Sequence, residues 1–338
     1  MTMNKKLLGM ASMLCGLALL STTATAATTL RFAHPAPQSD LQQVLAEAFK
    51  KEVERESDGE LQVQIFPNGQ LGNDAQMIDG TRSGIIDITL SGLNNFTGLV
   101  PEAAAFTLPF MFPDHEAAYR ALDGKPGQQV MAKLGEFGLE GLAFPENGFR
   151  EMTNNRSPIR EPKDLEGLRM RVNNSIALND MFELLGANPQ QIPVNELYTA
   201  LETGVVDAQD HPLGIVVSFN FNEVQKYLSL TNHAYAALTL VMNKQRFDGL
   251  TPAQQQIVRK AAADATRMQR EMNIQRSESM VRELEQKGMQ VNRDVDTAAF
   301  QQAVKPVWDK FIEAHGEAMI DAIQQASGQA QSGAETQS

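Results

Sequence analysis

Residues 28–69, TTLRFAHPAPQSDLQQVLAEAFKKEVERESDGELQVQIFPNG, decide the fold class. Thr28 to Ala33 reads as a strand, and His34 to Ser39 as the turn region after it. From Asp40 to Ser57 the residues Leu41, Val44, Leu45, Ala48, Phe49 and Val53 recur at helical spacing and form one apolar stripe. Asp58-Gly59 ends that helix. Leu61, Val63 and Ile65 alternate with polar residues, giving a second strand that closes at Pro67-Asn68-Gly69. Strand, helix and strand in this order predict a βαβ unit with parallel strands, and so an α/β fold.

Downstream, a helix over Asn73 to Arg82 leads through Gly84 to a strand over Ile86 to Ser91. Its joint, Thr81-Arg-Ser-Gly-Ile-Ile-Asp87, has a counterpart 120 residues later in Leu201-Glu-Thr-Gly-Val-Val-Asp207. Each is a helix end, a glycine that can take positive φ, two β-branched residues and an aspartate. The match points to two similarly built domains, which the length of 338 residues also favours. Strands are expected over Phe137 to Phe144, Leu168 to Val172 and Ala236 to Met242, and a helix over Ile176 to Leu185. Thr251-Pro252-Ala253-Gln254 is a capping box. No proline or glycine follows before about Lys287, so one helix of about 35 residues is expected, long enough to tie two domains together. A further helix is expected over Thr297 to Gln325, bent at Pro306, with a mobile tail over residues 327–338.

Lys5 and Lys6, the apolar run Leu7 to Leu20 and Ala24-Thr25-Ala26 make residues 1–26 a cleavable secretory signal, too short to span a membrane stably. The mature chain then begins at Ala27 and is periplasmic. Cys15, the only cysteine, falls in the signal, so the mature chain has no disulfide, thiolate nucleophile or cysteine-ligated metal. The formal charge of −12 becomes −14 without Lys5 and Lys6, since 27 basic residues then face 41 acidic ones. Such a surface disfavours nucleic acid and anionic lipid, and an anionic ligand needs a local concentration of positive charge.

No metal motif, phosphate loop, dinucleotide fingerprint or Gly-x-Ser-x-Gly elbow occurs. The expectation is a protein without catalytic residues, metal or cofactor. Adjacent residues of a strand point to opposite faces, so Asp210-His211 reads as a structural or ligand-binding pair and not as part of a hydrolase. Arg150 ends one expected strand and Arg171 another, with Asn173-Asn174 just beyond. Open α/β sheets bind ligands outside the carboxyl ends of strands, and a guanidinium matches the two oxygens of a carboxylate. Either arginine could equally be a surface residue paired with a neighbouring acid.

Several motifs occur in order: Phe66-Pro-Asn-Gly-Gln-Leu-Gly72, Gly148-Phe-Arg150, Pro162-Lys-Asp-Leu-Glu-Gly-Leu-Arg-Met-Arg-Val172, Gly186-Ala-Asn-Pro189, Glu196-Leu-Tyr-Thr-Ala-Leu201, Val206-Asp-Ala-Gln-Asp-His-Pro-Leu213 and Tyr227-Leu-Ser-Leu-Thr-Asn-His233. With them the chain resembles the solute-binding proteins of tripartite ATP-independent periplasmic (TRAP) transporters, of the DctP type, over nearly the whole mature sequence. The resemblance implies two α/β lobes, each a sheet flanked by helices, joined by a long helix and closing over a small organic acid. Residues 27–147 with 237–276 form lobe 1, residues 148–236 with 277–326 form lobe 2, and 327–338 a disordered tail. It also implies a monomer that hands its solute to a large and a small membrane subunit. Arg171 matches the arginine that forms the main salt bridge to the ligand carboxylate, and Arg150 the second arginine near it. Asp210 and His211 stand in the matching segment, His211 where many members have asparagine, and Asn173 replaces a common proline.

The far end of the ligand would meet lobe 1, where His34, Asn73, Asp74, Asn94 and Asn95 are the candidates. None is a fixed cation. A dicarboxylate prefers a second cation, whereas a sugar acid prefers amide, carboxylate and imidazole groups that bond hydroxyls. A hexuronate such as glucuronate or galacturonate, or an aldonate, is therefore favoured over a C4-dicarboxylate such as succinate, malate or fumarate. A secreted carbohydrate-acid enzyme is the rival class and would need a poised acid/base pair or metal. A sensory binding protein would use the same pocket.

Overall fold

The computed structural model describes residues 27–329. The expected signal, and the tail from residue 330 onward, lie outside the described residues. Strand β1 (Thr28–Ala33) runs parallel to β2 (Leu61–Phe66), from Thr28 opposite Leu61 to Ala33 opposite Phe66. Helix α1 (Leu41–Glu56) connects them, capped by the Asp40 side chain, which accepts from the Gln42 N–H. Asp58 and Gly59, both at positive φ, turn the chain out of it. Phe49 of α1 stands edge-on to Phe32 of β1, with ring centres 5.6 Å apart. Burying a side chain of this size contributes about 1.5–3 kcal/mol. Helix α2 (Asp74–Arg82) then leads to β3 (Ile88–Gly92), which pairs with the other edge of β1.

Helices α3 (His115–Asp123) and α4 (Lys125–Leu134) precede β4 (Leu139–Ala143) and β5 (Glu146–Asn154). The first topology then recurs. Strands β6 (Arg169–Val172), β7 (Asn188–Gln191) and β8 (Ala208–Pro212) alternate with α5 (Ile176–Leu184) and α6 (Val194–Glu202). The spatial orders are β2-β1-β3 and β7-β6-β8, all parallel. The repeated joint closes alike in both halves. Gly84 and Gly204 take φ 80° and 69°. The N–H of Asp87 donates to the Arg31 carbonyl at 3.1 Å, and that of Asp207 to the Arg169 carbonyl at 2.8 Å. Each carboxylate in turn accepts from its arginine's backbone N–H and Nε–H.

Helix α7 (Leu213–Ser218), β9 (Tyr227–Ser229) and β10 (Tyr235–Asn243) follow. The two halves share β10, which pairs with β5 at Tyr235–Ala237 and with β3 from Leu238. Strand β5 in turn leaves β10 after Phe149 and pairs with β8 from Arg150. The chain thus crosses between the halves near residues 148 and 237. Gly148 there has φ 110°, and a Cβ would lie 2.9 Å from Asn273 Nδ2.

After α8 (Lys244–Asp248) comes α9 (Pro252–Gln286), 35 residues long, with the Thr251–Gln254 capping box in place. Val258, Ala261, Ala262 and Ala265 join the core of the β1–β3 half. Met280, Val281 and Leu284 join the core beneath α6 and α7. Between them Gln269 Oε1 accepts from the Glu146 N–H at 3.1 Å, and Asn273 Nδ2 donates to the Asn147 carbonyl. The middle of the helix is therefore polar where the chain crosses.

After β11 (Gln290–Asn292), three helices replace the single one expected: α10 (Thr297–Ala303), α11 (Lys305–His315) and α12 (Ala318–Ser327). Pro306 lacks the N–H that a continuing helix needs and restarts the chain in the first turn of α11. Gly316, at φ 74°, ends α11. Helix α12 packs on α3, and Arg120 Nη2 donates to the Ser327 carbonyl at 2.7 Å. The last helix thus rests on a helix of the half opposite to that expected for residues 277–326. Ser327 is buried in this contact instead of opening a tail.

Candidate functional site

The carboxyl ends of β1, β3 and β6 and the N-terminus of α2 surround a cavity of about 400 Å³ between the two halves. Arg150, Arg171, Asn173 and His211 reach it from the β5–β8 half; Gln42, Asp74, Asn94 and Asn95 come from the β1–β3 half. The place is the crevice at strand ends where open α/β sheets hold ligands.

Arg171 on β6 is only 3% exposed. Its Nε–H donates to the Ile192 carbonyl at 2.8 Å, and Nη1 donates to His211 Nε2 at 3.1 Å. A guanidinium has only donors, so Nε2 accepts and the ring proton sits on Nδ1, which donates to Gln209 Oε1. Gln209 Nε2 donates to Thr153 Oγ1 at 2.7 Å, and that hydroxyl donates to Gln225 Oε1 at 2.8 Å. Burial, then Arg171 and Arg150, push the His211 pKa well down and keep the ring neutral. The neutral ring orients Arg171, whose Nη2 has no partner among the described residues. Burial, then Arg150, lower the Arg171 pKa to about 10, so it remains a cation at neutral pH.

Arg150 lies within β5, not at its end. Its Nε and Nη2 grip the Asp210 carboxylate at 2.6 and 3.0 Å, leaving Nη1 without a partner among the described residues. His233 Nε2 reaches the same carboxylate at 3.2 Å. Burial alone would raise the Asp210 pKa; Arg150 and His233 outweigh it and hold the group below the usual carboxylate range. Asp210, expected to touch ligand, instead stands behind Arg150 and does not line the cavity. The pleat of β8 turns it to the face opposite His211.

His34, expected to meet the ligand, does not line the cavity either. The alternation of β1 puts it on the face of Leu30 and Phe32, under α1. Its ring is edge-on to Phe32 and Nε2 pairs with Gln43 Oε1 at 2.9 Å. Burial lowers its pKa to about 4, so it supplies no second cation. Asn73 caps α2, and Asp74 accepts from the Ser91 hydroxyl. Asn95 Nδ2 donates to Ser91 Oγ at 3.1 Å. Gln42, Asn147 and His233 escaped the sequence reading. Gln42 belongs to the first turn of a helix whose stripe of apolar residues gives no sign of a polar duty.

One bond crosses the cavity rim. Ser218 Oγ, ending α7, donates to Asp40 Oδ2 at 2.8 Å while Oδ1 caps α1. Ser218→Ala removes this contact and leaves the cap. The expected result is ligand affinity about tenfold weaker, roughly 1.4 kcal/mol. Calorimetric titration checks it, and a loss under twofold would show that the contact does not hold the rim shut.

The sequence matches the profile of the bacterial extracellular solute-binding proteins, family 7 (DctP), over residues 32–314. The chain belongs to this family. Among its relatives, the 2,3-diketo-L-gulonate-binding periplasmic protein YiaO of Escherichia coli K12 is 42% identical over 301 residues, covering 89% of this chain and 92% of that one. The TRAP periplasmic solute-binding protein of Polaromonas sp. JS666 bound to D-erythronate gives a TM-score of 0.86 at 34% identity, covering 88% and 98% of the two chains. That of Sulfurospirillum deleyianum with bound succinate gives 0.84 at 30%, again covering 88% and 98%. This DctP-family chain is therefore a two-lobed periplasmic binding protein, a transport component and not an enzyme, that captures small organic acids and works with TRAP membrane subunits.

Proposed function

We propose that this DctP-family protein captures a sugar acid, a hexuronate or an aldonate, by its single carboxylate. The observation that carries this reading is the asymmetry of the cavity. Two cations with unpartnered N–H groups stand in one half, and the other half offers amides and Asp74 with no fixed cation. The carboxylate docks on Arg171 Nη2 and Arg150 Nη1. Charge-assisted bonds contribute about 1.5–3 kcal/mol each and strengthen as closure lowers the local dielectric. Residues 27–147 with 237–276 move as one lobe and residues 148–236 with 277–315 as the other, about the crossings near 148 and 237, while α12 moves with α3. Packing of α12 on α3 supports a share of the C-terminal helices in both lobes.

A thermal-shift screen of the mature protein against hexuronates, aldonates, C4-dicarboxylates and 2-oxo acids tests the reading. A ligand at 100 times its Kd stabilises by about 2.7 kcal/mol. A sugar-acid response without a succinate or malate response is expected. A dicarboxylate response alone would overturn it.

A further inference from the structure

We propose that Gln42 and Asp74, in the half opposite the two arginines, and Asn173 facing them from the arginine half, form a wall of hydrogen-bond acceptors that reads hydroxyl donors on the ligand and rejects a second carboxylate. The proposal rests on the sugar-acid reading above and deepens it from a charge argument to named specificity residues.

Three observations at separate positions carry it. Gln42, in the first turn of α1, is 2% exposed. Its Nε2 donates to Asn147 Oδ1 at 3.3 Å, on the strand that crosses between the halves. That bond orients the amide, and Oε1 is left buried at the cavity without a partner. Asn173 Oδ1, from the other half, is also buried without a partner. At Asp74 a directional relay ends. Asn94 Nδ2 donates to Asn95 Oδ1 at 3.2 Å, Asn95 Nδ2 donates to Ser91 Oγ at 3.1 Å, and the Ser91 hydroxyl donates to Asp74 Oδ1. The Ser91 proton is thereby committed to Asp74, whose second oxygen keeps its lone pairs. Burial is the largest influence and raises the Asp74 pKa; Ser91, Arg171 and Asp74's own backbone N–H offset it in part. As the first residue of α2, Asp74 also meets a helix end that favours negative charge.

An ionised carboxylate has no proton to give, so a second one here would leave Gln42 Oε1 and Asn173 Oδ1 without a donor and bring its oxygens against those of Asp74. A hydroxyl brings one donor to each. An unsatisfied buried acceptor loses the full cost of its desolvation, which is why a site built for hydroxyls discriminates strongly against analogues that lack them. The chemistry selected is a polyhydroxylated monocarboxylate with its hydroxyls distal to the acid.

The test is calorimetric titration at pH 8 of wild type, Asp74→Asn and Gln42→Met with galacturonate, gluconate and succinate. Asp74→Asn keeps an oxygen for Ser91, removes the charge and adds a donor. It is expected to lose at least tenfold in sugar-acid affinity and to gain at least tenfold for succinate. Gln42→Met keeps the volume without the acceptor, and is expected to lose about tenfold for the sugar acid with no gain for succinate. If wild type takes the sugar acid and Asp74→Asn leaves the preference within threefold, the wall is wrong and the sugar-acid reading stands. A wild type that takes only succinate, or none of the three, overturns that reading and the wall with it.

Discussion

Arg171→Ala is expected to weaken carboxylate binding at least a hundredfold, about 2.7 kcal/mol. The side chain is almost completely buried, and its Nη2 has no partner among the described residues until a ligand arrives. Removing it leaves a carboxylate enclosed beside an acceptor, His211 Nε2, that has also lost its donor. Arg171→Lys should recover little, because an ammonium cannot serve Ile192, His211 and the ligand carboxylate from one plane. The pH dependence has a definite sign. Binding needs the cation, and burial with Arg150 nearby places its loss at about 10 in the free protein. Affinity should be flat from pH 6 to 8 and fall as pH rises through about 10. Calorimetry of folded Arg171→Ala that shows less than a threefold loss would remove Arg171 as the anchor.

The two arginines were legible because each sits in one of the motifs that occur in order along the chain, and because a guanidinium near a strand end, as Arg171 is on β6, has a chemical reason to be there; Arg150 proved to lie within β5. The βαβ start, the 35-residue helix and the repeated glycine joint were legible from local rules of periodicity, capping and φ. What escaped was set by tertiary pairing. His34 and Pro35 are neighbours, yet only Pro35 lines the cavity, because the pleat turns the imidazole under α1. Asp210 and His211 are adjacent, and the same alternation makes one a support for Arg150 and the other a support for Arg171. His233 stands 23 residues from the carboxylate it bonds, with no local pattern to announce it. The break at Gly316 was missed because one glycine within a helical pattern is often tolerated.

Asp210→Ala is expected to destabilise the ligand-free protein by about 3–5 kcal/mol, the usual effect of leaving one partner of a buried ion pair alone. Arg150 would then keep its charge, nearly buried, with neither carboxylate oxygen to receive Nε and Nη2. The pH profile separates this from a packing defect. The folded pKa of Asp210 lies below its unfolded value of about 3.9, so its contribution is present above that value and is lost as pH falls through the folded pKa. The gap between wild type and variant in urea unfolding should therefore hold from pH 5 to 8 and narrow below about pH 4. A loss under 1 kcal/mol at pH 7 would show that Arg150 finds other partners. The double variant Arg150→Met/Asp210→Leu removes both charges and fills the volume. It should regain most of the stability and still bind poorly, since Nη1 of Arg150 is gone. Recovery of both stability and affinity would mean that the ion pair serves the fold alone and that Arg171 holds the ligand without it.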